Sequence, residues 1–305
     1  MNRLEQIARS RELEDIRIVI TGCGYKPVQR IFYDIVTQEP SHNSIIINGQ
    51  EMKLNIGSAT SGVLTLAGAT VHMVSTSADK LLNVKRSLDA LLGNDGQVEC
   101  SEVDLFNENC VKKFIDNLPD DKPLYWVQAL GLSGGAYKVK DDNPYLPLED
   151  IDPRLMEAEL SVPVATQTIM RALLPRLKQQ EETRIAIITS MSAIRAYSYG
   201  GTHCAAKAAL DKWANSARLA LYKKPQNIFI TTIRPGGVDT GLYDSPVVQD
   251  IVSRISDEYS GQYRNHQTYM PPTTVGQAIK LAFTAPAHIP SLNLVAKGQL
   301  PHEGS

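Results

Sequence analysis

The chain has 305 residues, 43% of them apolar and 21% charged, enough hydrophobic material for a substantial core and too much for a disordered protein. Thirty-one basic against 33 acidic residues leave a formal charge of −2, which argues against nucleic-acid and anionic-membrane partners. Cys23, Cys100, Cys110 and Cys204 form no CxxC pair, no stretch reaches the roughly 18 apolar residues of a membrane span, and no secretory segment follows Met1. A cytoplasmic protein without a metal site is therefore expected.

Beyond an N-terminal extension at 1–16, short β-branched runs alternate with longer helical patterns. That alternation predicts an α/β fold, a Rossmann-type doubly wound parallel sheet in a single domain. Strands are expected at 17–20, 69–74, 97–100, 124–127, 184–188, 228–233 and 291–295. The first leads into Thr21, Gly22, Gly24 and Lys26, but an insertion at 27–54 delays the helix that ordinarily follows. Within it, Asn48-Gly49 separates the β-like runs Ile45-Ile46-Ile47 and Met52-Lys53-Leu54, which predicts a β-hairpin excursion on the surface.

Asn55-Ile56-Gly57-Ser58 then opens a helix. Gly22, Gly24, Ile56 and Gly57 have the makings of a dinucleotide-binding turn: glycines let the backbone approach a pyrophosphate, and the helix N-terminus supplies amide donors. Split by the insertion, the same glycines also suit an ordinary α/β turn. The second strand ends in Ser75-Thr76-Ser77, with no carboxylate to accept from a ribose 2′-hydroxyl or to repel a 2′-phosphate. Lys26, Lys80, Lys85 and Arg86 are candidates to reach such a phosphate, although Lys85 and Arg86 also read as a solvated helix face. NADP(H) is thus preferred, with NAD(H) as the alternative.

Farther along, Val103-Asp104-Leu105 follows the third strand, Gln128-Ala129-Leu130-Gly131 the fourth, and Pro235-Gly236-Gly237-Val238-Asp239-Thr240 the sixth. With the split glycine turn, these runs make residues 17–298 resemble the short-chain dehydrogenase/reductase family. The resemblance implies that Asp104 and Leu105 contact adenine, that Ala129 and Gly131 stand in the family's Asn-Asn-Ala-Gly, and that Pro235, Gly236, Val238 and Thr240 hold the nicotinamide amide. It also implies a substrate lid at 241–274 with a helix at 247–259, a tail at 299–305, and a homodimer or homotetramer built on helices at 155–180 and 204–221.

In that family a Ser follows the fifth strand, a Tyr comes thirteen residues later and a Lys four further on. Ser190 and Lys207 fit, but position 203 is His203, and the Asn of the preceding long helix is matched by Ser161. His203 lies one helical turn from Lys207; an imidazole of pKa about 6.5 exchanges protons well near neutrality, and a nearby ammonium lowers that value. Tyr199, eight residues before Lys207, resembles instead the Tyr of enoyl-acyl-carrier-protein reductases, folding back from a loop through Gly200-Gly201. The second Tyr of such reductases is Thr189 here.

The expected activity is an NADP(H)-dependent oxidoreductase acting by hydride transfer on a keto or enoyl substrate, small or carrier-bound. Ser190, Lys207 and either Tyr199 or His203 would carry it. The alternative is a catalytically silent or non-redox nucleotide-binding homologue.

Overall fold

Runs rich in Val and Ile bury well on both sides of a parallel sheet, and seven of them do so in the computed structural model. It describes residues 12–93, 98–131, 147–198, 200–222, 227–246, 248–250, 253–254 and 268–297. In chain order the first half comprises β1 (Arg17–Thr21), β2 (Tyr25–Pro27), β3 (Ser44–Ile47), β4 (Gln50–Leu54), α1 (Ile56–Leu66), β5 (Thr70–Ser75), α2 (Ala78–Leu92), β6 (Val98–Glu102) and α3 (Glu108–Asp116). The second half comprises β7 (Leu124–Gln128), α4 (Pro153–Leu177), β8 (Thr183–Ile188), α5 (Gly201–Leu221), β9 (Ile228–Pro235), α6 (Pro272–Thr284) and β10 (Ser291–Leu294).

The main sheet has the order β10-β9-β8-β7-β1-β5-β6, and every pairing within it is parallel. Each strand expected from the sequence is present, its ends moved by at most two residues. Alternation along β1 divides the core: Ile18 and Ile20 join one cluster with Leu64, Leu81 and Ile279, whereas Val19 joins Trp126, Ile169 and Leu210 on the other face. At the opposite end of the strands from the site, buried Arg17 reaches Glu99 at 2.5 Å and Asp121 at 3.2 Å.

The insertion is more than the expected hairpin. β3 and β4 pair around a turn in which Asn48 (φ 51°) and Gly49 (φ 78°) are both left-handed, as a two-residue type I′ turn requires. β2 then pairs antiparallel with β4 to give a three-stranded sheet. Nor is the insertion confined to the surface: Ile45, Met52 and Leu54 enter the main core and Lys53 is fully buried, while Ile46 faces outward. The alternation of β4 turns Met52 and Leu54 inward, so a surface-only excursion is incorrect.

Asn55 joins the two ends of this excursion. Its backbone amide donates to the Gly24 carbonyl at 3.1 Å, and its Nδ2 donates to the Gly22 carbonyl at 2.8 Å. Its Oδ1 accepts from the amides of Ser58 at 2.9 Å and Gly24 at 3.2 Å, so the N-cap of α1 also closes the loop. Asn55→Ala is expected to lower unfolding free energy by about 1–2 kcal/mol, the upper part of the range for a lost cap, read from urea unfolding.

Candidate active site

In an open α/β sheet, ligands bind beyond the carboxyl ends of the strands, where the strand order reverses. Here β1 lies between β5 and β7, and Gly22, Ser75, Asp104, Ala129, Ser190 and Pro235 all stand at or just past such strand ends. The clip at Asn55 restores the split glycine turn. Gly22 has φ 92°, and a Cβ there would lie 2.5 Å from the Ala129 carbonyl; one on Gly57 would lie 2.8 Å from the Gly22 carbonyl. Only glycine lets these three backbones approach so closely, which is the geometry a bound diphosphate needs beside a helix N-terminus.

Other candidates divide by where their side chains go. The Thr21 hydroxyl donates to the Val127 carbonyl and accepts from Trp126 Nε1, both at 3.3 Å, so only its backbone is left for a ligand. Leu105 is likewise buried, and exposed Asp104 caps its own loop by accepting from the Phe106 amide at 3.0 Å. At the end of β5, Ser75 and Thr76 bring no carboxylate, and Ser77 caps α2. Lys80 lies 5.6 Å from the Tyr25 ring centroid, and Lys85 pairs with Asp89 at 2.7 Å.

Tyr25 and Lys26 diverge. Successive residues of β2 point to opposite faces. Tyr25 therefore turns to α2, accepting from Asn83 Nδ2 at 3.1 Å, while the Lys26 stem packs against Gly241. The Lys26 stem thus stands next to the run that follows β9. That run, Pro235 to Thr240, is pinned at Gly236, whose amide donates to the Leu294 carbonyl at 2.7 Å, and at Val238, which bridges to Met270. Ala129 is held by its amide to the Thr21 carbonyl at 2.9 Å, and Gly131 follows it in the open.

The described catalytic candidates come from two elements, the turn after β8 and α5. Ser190, just past β8, accepts from the Ser192 amide and donates to the Ser192 hydroxyl, both at 3.0 Å. α5 begins at Gly201, after position 199, and brings His203 and Lys207 one turn apart on one face. Lys207 Nζ lies 3.5 Å from the Ile188 carbonyl at the end of β8. Tyr199 lies outside the described residues, as does most of the expected lid helix at 247–259.

On α4 the Ser161 hydroxyl bonds to the Ala158 carbonyl of its own helix at 2.6 Å. Glu159 stands beside His203: it is 6% exposed, with Oε1 4.0 Å from His203 Nδ1. Leu155, Glu159, Val162 and Thr166 share the buried face of α4, so an acidic residue in an apolar stripe was the sequence signal for it. Burial, and secondarily the Lys207 charge, pushes the His203 pKa down to about 3, so the ring is neutral at physiological pH. Burial also lowers the pKa of Lys207, and the Glu159 carboxylate opposes that shift.

Comparison with known proteins agrees with this fold. Among curated proteins none matches the sequence. The NADPH-bound short chain oxidoreductase from Pseudomonas aeruginosa, described as containing an atypical catalytic center, superposes with a TM-score of 0.69 at 16% identity over 95% of this chain and 98% of that one. A short-chain type dehydrogenase/reductase from Mycobacterium ulcerans gives 0.67 at 18% identity, covering 93% and 88%. Alcohol dehydrogenase from the archaeon Thermococcus sibiricus, complexed with 5-hydroxy-NADP, gives 0.65 at 18% identity, covering 94% and 99%. At such identities the likeness is one of fold. The family profile for short chain dehydrogenase matches residues 45–247, starting inside the insertion that separates β1 from its helix. Because that match spans well over half of the sequence, this chain belongs to the short-chain dehydrogenase family.

Proposed function

We propose that the chain is an NADP(H)-dependent oxidoreductase that moves hydride between the cofactor and a keto or enoyl substrate, small or carrier-bound. The observation that carries this reading is the glycine turn rebuilt by Asn55, at the same end of the sheet as Ser190, His203 and Lys207. NADP(H) is favoured over NAD(H) by the absence of a carboxylate at Ser75-Thr76-Ser77 and by the NADPH and 5-hydroxy-NADP named for two of the structural neighbours.

In this reading Gly22, Gly24, Ile56 and Gly57 would hold the diphosphate through backbone, Ser75 and Thr76 would serve the adenosine ribose, and Asp104 and Leu105 the adenine. Ala129 and Gly131 form the floor, and Pro235, Gly236, Val238 and Thr240 hold the carboxamide end. The bound reduced nicotinamide supplies the hydride. Lys207 anchors the adjoining ribose, with the Glu159 carboxylate supporting its charge against burial. Ser190 and His203 hydrogen-bond the substrate oxygen. A neutral imidazole is suited to this, since it stabilises developing negative charge without bringing a full positive charge into a buried site. Exposed Leu160 and Val164 on α4 and Leu219 on α5 support assembly as a homodimer or homotetramer, and a cytoplasmic location completes the reading.

Following NADPH oxidation on a panel of ketones and enoyl thioesters tests the assignment. His203→Ala is expected to reduce kcat by about 10²–10³, with Tyr199→Phe changing it less. The opposite order would assign the role at the substrate oxygen to Tyr199, and NADPH binding with no turnover by the parent would identify a silent nucleotide-binding protein.

A further inference from the structure

The insertion is tied to both ends of the cofactor site by polar contacts that the reaction itself does not use. On its returning strand, Lys53 is fully buried, and its Nζ donates to Asp239 Oδ1 at 2.6 Å and Asp244 Oδ1 at 2.8 Å. Asp239 lies inside the Pro-Gly-x-Val-x-Thr run after β9, and Asp244 lies in the short turn beyond it. The second oxygen of each carboxylate also returns to the insertion. Asp239 Oδ2 accepts from the Ser41 hydroxyl at 3.0 Å, and Asp244 Oδ2 accepts from the amides of Gln29 and Arg30 at 3.1 and 3.2 Å. At the other end β2, the strand that leads into the insertion, meets α2 through Tyr25 and Asn83, beside the end of β5.

Such an arrangement differs from a decorative loop, which would present its polar groups to water. A buried lysine between two carboxylates fixes their separation and direction, because each must keep its partner once solvent is excluded. The backbone of 239–244 is thereby set by residues 41 and 53. We propose that the insertion is a strap between the adenosine-side helix and the nicotinamide-side loop, and that Lys53 is a positioning residue for the nicotinamide half of the cofactor. This rests on the reading of 235–240 as the carboxamide-holding run. Lys53 acts through Asp239 and Asp244 without touching the cofactor.

Two ligands separate the halves: NADPH, which engages both, and 2′,5′-ADP, which carries the phosphorylated adenosine half alone. Titration calorimetry on the parent, Lys53→Met and Ser41→Ala measures each. Lys53→Met is expected to weaken NADPH at least about tenfold and leave 2′,5′-ADP within about twofold, because misplacement of a holding loop is felt only by the group it holds. Ser41→Ala, which removes one hydroxyl and keeps the buried charges balanced, gives the same pattern at about two- to fivefold and serves if the lysine variant does not fold. Equal weakening of both ligands, or unchanged NADPH affinity in folded variants, overturns the strap. Failure of the parent to bind either ligand overturns the cofactor reading instead.

Discussion

Lys53→Met lowers the unfolding free energy by about 3–5 kcal/mol, the cost expected when one partner of a buried ion pair is removed and the other is left uncompensated. Asp239 and Asp244 are 1% and 5% exposed and share the ammonium of a fully buried lysine. Burial already pushes the Asp239 carboxyl above the usual carboxylate range, and the hydrogen bond from Lys53 is the main force opposing it. Without the lysine, these carboxylates must take up protons or draw in water. Urea unfolding at pH 7 measures the loss, and a domain of ordinary stability keeps a folded population for the comparison. Adding Asp239→Asn and Asp244→Asn should recover most of the loss, because the triple variant strands no charge. A loss below about 1 kcal/mol in Lys53→Met, or no recovery in the triple variant, would show that the network does not hold the insertion in place.

The second large effect concerns acid stability. His203 has a folded pKa of about 3, against about 6.5 in an unfolded chain, so between these values the unfolded state binds a proton that the folded state refuses. Stability therefore rises with pH across that window and is lost as the pH falls below about 6.5, by up to about 1.4 kcal/mol per unit. His203→Gln has no such proton to bind. Between pH 7.5 and 5.0 the parent should lose about 2 kcal/mol more than this variant, measured by urea unfolding at each pH. Parallel pH dependence in the two proteins would mean that the ring titrates normally in the folded state. The same depressed pKa is why His203 is assigned as a neutral hydrogen-bonding group rather than an imidazolium acid.

Much of the fold was legible because its signals are local. The β-branched runs that became β1, β5 and β7 bury on both faces, and the Asn48-Gly49 turn needs only the left-handed conformations that Asn and Gly tolerate. The spacing from Ser190 to Lys207 fixed the relation between the end of β8 and α5. Glu159 was missed for a geometric reason. One residue of helix turns a side chain by about 100°, so Ser161, two positions on, lies off the face by which Glu159 meets α5. The phase of Leu155, Glu159, Val162 and Thr166 marks that face. The direction of the Lys26 stem was hidden for the strand equivalent of the same reason, since alternation sends Tyr25 and Lys26 to opposite faces once β2 pairs with β4.

By itself the sequence determined the α/β class, the seven strands, the hairpin turn and the positions of the glycines, because these follow from periodicity and from the conformations particular residues allow. Only the tertiary structure decided that Asn55 closes the insertion so that Gly22 meets Gly57, that Lys53 lies between Asp239 and Asp244, and that Glu159 stands beside His203. These contacts join residues 33 to 191 positions apart or on separate helices, and their strength comes from excluding water. Burial of that kind belongs to the packed elements together and leaves little trace in any one stretch of chain.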